Sequence, residues 1–172
     1  MTEGPFYPVK VPLDQDNDLT RVAGQSGVAQ GELFDFTGRV LNTEGKPVAG
    51  ATVEIWQCNA LGAYHHPGDS GPRDPNFQGF GKTSTDAEGR YRFRTIKPVA
   101  YPGRTPHIHF KVKQAGKAEF TSQVMIAGEA ANGNEVLNHC AAHPIDCVLL
   151  DIKMPLVDGL EAARRLGELP NP

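Results

Sequence analysis

Apolar and polar residues alternate along several short stretches of the first 126 residues, and this alternation predicts β-strands. Alternation with a period of two is typical of strands that bury one face and expose the other. The sequence predicts strands over five ranges, which are 34–41, 51–56, 90–96, 107–112 and 120–126. Turn sequences that contain glycine lie at 42–45, after the first strand, and at 83–89, before the third strand. Short strands joined by close turns indicate an all-β sandwich.

Two regions of this first part lack the alternation. Residues 1 to about 32 contain Pro5, Pro8 and Pro12 and an acidic run at 14–18, which favours an extended arm rather than a packed element. Residues 59–81 are rich in Gly, Pro, Asp and His and predict a long loop. Loops of this length inside a compact domain usually carry function.

The spacing of apolar residues along the sequence changes near residue 127. Helical spacing of apolar residues predicts helices at 134–142 and 159–166, with a buried strand at 147–152 between them. We therefore divide the chain into a sandwich over 1–129 and a short β/α segment over 130–172, which we do not expect to be an independent domain. Residues 148–152 either supply a last strand to the sandwich or belong to a disordered or loosely docked tail.

Composition excludes several classes of function. The chain has 172 residues and a net charge of -3, which argues against a nucleic-acid-binding protein. No apolar run approaches the roughly 20 residues of a membrane span. The first residues do not have the pattern of a signal peptide, so we expect a cytoplasmic protein. The three cysteines are widely spaced, which does not suggest a disulfide framework.

Two histidines in one predicted strand are the main chemical signal. His107 and His109 are two positions apart, so both imidazoles face the same side of the strand. Tyr101 lies just before them, beyond a turn at Pro102 and Gly103, and Tyr64 lies in the long loop. Imidazole together with phenolate suits an oxidised transition metal, and ferric iron is the natural candidate.

Each of these residues also has a simpler interpretation. A histidine pair on a strand is more often exposed or hydrogen-bonded than metal-bound, and Tyr64 could pack as an ordinary loop residue. His65 and His66 compete as ligands in the loop, and we rank them lower. Arg104 and Gln123 are either exposed residues or polar groups facing the same cavity, where Arg104 would stabilise an anionic substrate.

Seven motifs in this order make the chain resemble the intradiol ring-cleavage dioxygenases, most closely the protocatechuate 3,4-dioxygenase β-subunit type. The motifs are TEGPFYP at 2–8, DNDLTR at 16–21, GKPVAGA at 45–51, VEIWQ at 53–57, TDAEG at 85–89, FRTIKP at 93–98 and PHIHF at 106–110. The resemblance covers about residues 1–129.

The resemblance implies a β-sandwich that binds a non-haem Fe(3+) through two tyrosines and two histidines. The implied ligands are Tyr64, Tyr101, His107 and His109. The implied reaction is cleavage of a catechol with O2 between its two hydroxyl-bearing carbons, which gives a cis,cis-muconate type product. Tyr101 would be the ligand displaced by substrate, with Arg104 and Gln123 beside it. The resemblance also implies an oligomer, in some members with a second subunit.

Two departures from the family keep other functions open. Only two residues separate Tyr101 from Arg104, whereas the protocatechuate enzymes have a longer insertion there, which puts recognition of a substrate carboxylate in doubt. Residues 131–166 instead resemble the middle of a receiver domain, with Asp151 as the phospho-acceptor. The alternatives are a transthyretin-like binding sandwich without metal, a signalling protein that uses Asp151, and an iron-binding dioxygenase impaired by its C-terminus.

Overall fold

The structure, a computed structural model, describes residues 3–126 and the backbone of Val148–Leu149. These residues form strands, turns and irregular segments, without an α-helix among them. The seven strands are β1 (Leu33–Arg39), β2 (Thr52–Trp56), β3 (Phe80–Ser84), β4 (Arg90–Ile96), β5 (His107–Lys113), β6 (Phe120–Ile126) and β7 (Val148–Leu149).

The strands form two sheets. β1 and β4 make an antiparallel pair, and the other five form a sheet in the order β3-β2-β5-β6-β7. All pairings in the larger sheet are antiparallel except that of β7, which runs parallel to β6. This two-sheet architecture confirms the predicted all-β sandwich.

The main core lies between the two sheets and is built from alternate residues of their strands. Phe36 and Phe93 come from the smaller sheet, and Val53, Ile55 and Ile108 come from the larger one. All five side chains are almost completely buried. Burying an apolar side chain of this size contributes roughly 1.5–3 kcal/mol, so these inward positions fix which face of β2 and β5 points outward.

A second apolar cluster covers the outer face of the five-stranded sheet. Its buried members are Trp56, Cys58, Tyr64 and Phe80. Partly buried residues pack against them from the N-terminal arm and from the segment before β5. The outward residues of β2 and β5 are therefore shielded from water as well, and this second cluster surrounds the candidate site.

The five predicted strands are confirmed, with ends that differ by at most two residues. The interpretation of 59–81 as a loop that continues into a turn at 83–89 was wrong at 80–84, where β3 pairs with β2. Gly81 made this strand look like a loop. A Cβ on Gly81 would lie 2.5 Å from the carbonyl oxygen of Asp16 and 2.6 Å from Leu19, so the glycine admits the arm beside the strand.

The N-terminal arm is extended, as predicted, but it is not unpacked. Leu19 is completely buried in the main core, and its backbone hydrogen-bonds to Arg94 of β4. Farther forward, Phe6 and Tyr7 pack on the outer cluster. The prolines prevent regular strand pairing without preventing burial, which explains why the sequence suggested a free arm.

Only two residues of the C-terminal segment are described. The backbone of Val148–Leu149 pairs with Met125 and Ile126, in line with the alternative in which this segment adds a last strand. The helices predicted at 134–142 and 159–166, together with Asp151, Cys140 and Cys147, lie outside the described residues. The described residues contain no helix long and apolar enough to cross a membrane.

Candidate metal centre

The two histidines of β5 face outward together, into the second cluster. Between them Ile108 points into the main core, which fixes the outward orientation of His107 and His109. Both imidazoles are buried, and their Nε2 atoms lie 3.2 Å apart. Neighbouring strands surround the pair, because His109 lies opposite Trp56 of β2 and Gln123 of β6.

Hydrogen bonding and packing hold both rings in a form that suits metal binding. The Nδ1–H of His107 donates to the carbonyl oxygen of Thr105 at 2.7 Å, which leaves a lone pair on Nε2. The His109 ring lies flat against Trp56, with centroids 5.0 Å apart and planes 6° apart. Its buried Nδ1 has no hydrogen-bond partner among the described residues.

The surroundings favour the neutral form of both imidazoles. Burial, followed by electrostatic interactions with His107 and Arg104, lowers the pKa of His109 to about 3. Burial also lowers the pKa of His107, outweighing the opposing effect of its hydrogen bond to Thr105. Neutral imidazole is the form that binds a metal ion, so the site does not need to lose histidine protons on loading.

Two phenol oxygens meet the histidines at the same point. The hydroxyl of Tyr64 lies 3.2 Å from Nε2 of His107, and the hydroxyl of Tyr101 lies 3.4 Å from it. Tyr64 is buried, and burial raises the pKa of its phenol, with a further contribution from Tyr101. The structure thus brings together the four side chains that the sequence singled out as metal ligands, two with nitrogen and two with oxygen donors.

Side-chain hydrogen bonds shape the loop that carries Tyr64. The side-chain oxygen of Asn59 accepts from the backbone N–H groups of Leu61 and Ala63, and its side-chain NH2 donates to the carbonyl oxygen of Pro72. The Asp69 carboxylate accepts from the backbone N–H of Tyr64 at 2.8 Å. These bonds satisfy backbone groups that have no strand partner, and they fix the backbone at the tyrosine.

A tight turn places Tyr101 and Arg104 side by side. The two residues form an antiparallel bridge, with hydrogen bonds of 3.2 and 2.8 Å between their backbone groups. Pro102 and Gly103 occupy the turn, and Gly103 has φ +78°, which the third position of a type II turn requires. The short spacing that departs from the family therefore forms a compact turn at the edge of the site.

Arg104 and Gln123 also meet at the site. Nη2 of Arg104 donates to the side-chain oxygen of Gln123 at 2.6 Å and lies 3.5 Å from Nε2 of His107. Arg104 is exposed and Gln123 is partly exposed, so both can contact a molecule that enters from solvent. The structure therefore places both residues beside His107, on the open side of the candidate site.

The lower-ranked histidines of the loop take other positions. His65 packs its ring edge against Phe77, and His66 packs against Phe6 and accepts a hydrogen bond from the backbone of Gly68. Within residues 3–126, no group of three or more His, Cys, Asp or Glu side chains is arranged to hold a metal ion. In this part of the chain, the further donors placed beside His107 and His109 are the hydroxyls of Tyr64 and Tyr101.

The residues that cover the site were not among the predicted site residues. Phe6 stacks on Tyr64 with centroids 4.6 Å apart, and Tyr7 meets Trp56 edge-on at 4.9 Å. The available signal was a pair of aromatic residues inside the proline-rich arm, because exposed arms seldom contain adjacent large aromatics. Asn59 and Asp69 were also missed, since polar loop residues give no sign of which backbone groups they bind.

Comparison with known proteins places the chain in a family. A family model described as dioxygenase matches residues 2–143. The protocatechuate 3,4-dioxygenase beta chain of Burkholderia cepacia is 53% identical over 106 residues, which cover 56% of this chain and 45% of that protein. Catechol 1,2-dioxygenase 2 of Acinetobacter lwoffii is 34% identical over 145 residues, covering 74% of this chain and 50% of that protein. The chain spans about half the length of these curated relatives.

Solved structures agree with this placement. The dioxygenase domain of a dioxygenase and carbohydrate-binding fusion from Streptomyces sp. SirexAA-E aligns with a TM-score of 0.59 at 30% identity, over 78% of both chains. Catechol 1,2-dioxygenase from Acinetobacter sp. ADP1 aligns with a TM-score of 0.57 at 28% identity, over 74% of this chain and 46% of that one. The comparisons give no support to a receiver-like C-terminus. By family match, relatives and fold, the chain belongs to the intradiol dioxygenases.

Proposed function

We propose that this chain is a ferric intradiol dioxygenase. It would cleave a catechol-type ring with O2 between the two hydroxyl-bearing carbons and insert both oxygen atoms, giving a cis,cis-muconate type product. The observation that carries the proposal is the meeting of four donors, in which the Nε2 atom of His107 has the other three donor atoms within 3.4 Å. The other three are the hydroxyls of Tyr64 and Tyr101 and Nε2 of His109.

The donor set fits Fe(3+) on chemical grounds. Phenolate oxygens are hard, anionic ligands and imidazoles are neutral ones, a combination that favours a hard trivalent ion. The buried Nε2 atoms of His107 and His109 face one another and the two phenols, and none of these groups is a carboxylate or thiolate. When bound, the ferric ion would supply charge that favours ionised phenols and catechols, and so make the substrate ring reactive towards O2.

The four donor residues differ in how firmly the structure holds them. His107, His109 and Tyr64 are buried and fixed by packing, so they would remain in place through turnover. Tyr101 is partly exposed at the edge of the site, which suits the ligand that leaves when substrate binds. Its released phenolate oxygen could then accept a substrate hydroxyl proton.

Arg104 would act on the bound substrate. Its guanidinium lies at the open side of the site and is oriented by Gln123. A cation in that position stabilises negative charge as it builds on the ring. The hydrogen bond to Gln123 restricts the guanidinium to the side facing His107, so the charge is in place before the substrate arrives.

The relatives favour this function over a binding sandwich without metal. The names of the relatives cover protocatechuate, catechol and hydroxyquinol as substrates, and we extend to this chain only their shared catechol unit. One relative is named a beta chain, and we propose by analogy an oligomer that includes a second subunit. Native mass measurement of the chain alone and with a candidate partner tests this assembly.

The test of function is optical. Protein loaded with ferric iron should show a burgundy colour from charge transfer between tyrosinate and iron. Addition of catechol without O2 should change that band, and admission of O2 should produce the ring-opened acid. A protein that binds no iron and stays colourless when iron is offered would refute the proposal.

Matched tyrosine variants make the test specific. The chain has four tyrosines, of which Tyr91 lies on β4 of the smaller sheet, away from the site. Tyr64→Phe should weaken or abolish the charge-transfer band, because it removes one phenolate donor. Tyr91→Phe should leave the band unchanged. Equal loss of colour in both variants would show that the colour does not arise at this site.

A further inference from the structure

A segment of the N-terminal arm, residues 3–7, lies across the outer face of the five-stranded sheet beside the candidate metal centre. Phe6 stacks on Tyr64, and Tyr7 contacts Trp56, the residue on which the His109 ring lies. Gly4 passes so close that a Cβ on it would lie 3.4 Å from the Cε1 atom of His109. The arm thus contacts two of the four proposed metal ligands. It reaches Tyr64 through the stacking of Phe6, and it reaches His109 both through Gly4 and through the contact of Tyr7 with Trp56.

A buried lysine lies under this segment. Lys111 is two residues beyond His109 on β5, so its side chain emerges on the same outer face. Only 3% of the Lys111 side chain is exposed, which is unusual for a lysine. Its ammonium group lies 3.9 Å from the centroid of the Tyr7 ring and forms an ion pair with the Glu3 carboxylate. A buried ammonium requires such partners, and the arm supplies both.

A second polar contact fastens the same segment. The hydroxyl of Tyr7 donates to Glu54 at 2.9 Å, and Lys113 donates to the other carboxylate oxygen of Glu54 at 2.7 Å. Glu54 is itself buried, on the outer face of β2. The arm is therefore tied to two neighbouring strands, through Glu3 to β5 and through Tyr7 to β2.

We propose that Glu3 and Lys111 form a clasp that fastens the arm over Trp56, His109 and Tyr64, and thereby positions two of the donors. Both are positioning residues, because they act through Phe6, Tyr7 and Trp56. The claim about metal ligands rests on the proposed function, whereas the fastening of the arm does not.

The clasp follows from the cost of burying a charge. When the arm is open, Lys111 and Glu3 are both hydrated. When the arm closes, the lysine loses water, and the Glu3 carboxylate together with the face of the Tyr7 ring offsets that loss. Neutralising Glu3 therefore favours the open arm. Glu119, in the loop before β6, also lies 3.8 Å from the lysine, but it is not attached to the arm.

This arrangement provides a matched pair of variants. Glu3→Gln and Glu119→Gln each remove one negative charge near Lys111, and only the first removes a tie to the arm. Metal-free protein is examined by fluorescence, because Trp56 is the single tryptophan of the chain and is buried beneath Tyr7. Glu3→Gln should shift the tryptophan emission to longer wavelength as water reaches the ring. Glu119→Gln should leave the emission near that of the wild-type protein.

The second readout is iron binding by the full chain. Residues that orient metal ligands from outside typically change metal affinity by about ten- to a hundredfold, and we expect that loss in Glu3→Gln. The tyrosinate charge-transfer band should shift as well, which a general loss of stability would not cause. The double variant Glu3→Gln with Lys111→Met should recover part of the affinity, because no unpaired charge is then buried.

Two results would overturn the clasp. One is Glu3→Gln protein whose tryptophan emission matches that of the wild-type protein. The other is Glu3→Gln protein that shows the emission shift but has the same iron affinity and absorption as Glu119→Gln. That result would show that Glu3 fastens the arm and that the arm does not position the metal ligands. If the wild-type protein takes up no iron, the proposed function fails, and the emission of the metal-free pair still decides whether Glu3 fastens the arm.

Discussion

Replacement of Gly62 by alanine should disturb the site through Tyr101. Gly62 lies in the loop before Tyr64 with φ +78°, and a Cβ there would lie 3.1 Å from the Cβ of Tyr101. Gly45 offers a matched control, because it has φ +76° and a Cβ on it would meet no atom within 4 Å. Alanine at either position adopts the same unfavourable backbone conformation, but only alanine at Gly62 crowds a proposed ligand.

The expected magnitudes follow from these geometries. The left-handed conformation costs an alanine about 1–2 kcal/mol, so both variants should lose that much stability. In a chain of this size, each kcal/mol lowers Tm by about 2–4 °C. The Gly62 variant must also move Tyr101 by a few tenths of an ångström to relieve the contact. A misplacement of about 1 Å can reduce the rate about a hundredfold. A shift of a third to a half of that distance should therefore lower kcat/KM about five- to tenfold, the cube root to the square root of that effect.

The assay compares Tm, the charge-transfer band and kcat/KM of the two iron-loaded variants. Gly45→Ala should have a lower Tm and normal kinetics, and Gly62→Ala should have a lower Tm, an altered band and slower turnover. Equal kinetics in the two variants would refute the reasoning, because they would show that the approach of Gly62 to Tyr101 does not set the position of that phenol.

Three further predictions concern the loop, the pH dependence and the metal. Asp69→Ala should lower the free energy of unfolding by about 1–3 kcal/mol and weaken iron binding, because the backbone N–H of Tyr64 loses its acceptor. Asp86→Ala, which removes similar hydrogen bonds in another turn, should lower stability without changing iron binding. Urea unfolding and iron titration measure the two effects. Burial lowers the pKa of Lys113, but its hydrogen bond and charge contact with Glu54 raise it more, so that the net pKa is above its usual value. The interaction of charged Lys113 with Glu54 therefore contributes fully to stability below about pH 10, and the contribution is lost as the pH rises further. Urea unfolding between pH 8 and about 11 should show a steeper decline in the free energy of unfolding for wild-type protein than for a Glu54→Gln variant. Removal of iron by a chelator and reductant should bleach the colour and lower the free energy of unfolding by about 2–3 kcal/mol if iron was present at about a hundred times its Kd.

Alternation in the sequence was enough to predict most of the sandwich. The confirmed strands have apolar residues at most of their alternate positions, and two sheets are the simplest way to bury several such faces together. The same rule placed His107 and His109 on one side of β5, where the structure has them. β3 was missed because its sequence, FGKTS, has few apolar residues, and its pairing depends on β2 and on the arm rather than on its own pattern.

The loop and the turn were harder to place from sequence. Tyr101 was expected near the histidines because it lies only six positions before His107, with one turn between them, which limits how far away it can lie. Tyr64 lies 43 positions from His107, and its place depends on hydrogen bonds from Asn59 and Asp69 that no local pattern encodes. For that tyrosine the resemblance to a known family supplied what physical reasoning from the sequence could not.

The covered outer face explains both the success and the failure of the alternation rule. Period-two spacing says that His107, His109 and Lys111 share a face, but it does not say whether water or another segment covers that face. A lysine at such a position normally indicates solvent, and here its partner Glu3 lies 108 positions away. Exclusion of water strengthens the electrostatic interactions of the metal donors and equally raises the cost of leaving Lys111 unpaired. The same cover that suits the site chemically therefore requires an anion on the arm, which ties the position of Glu3 to the burial of the histidines.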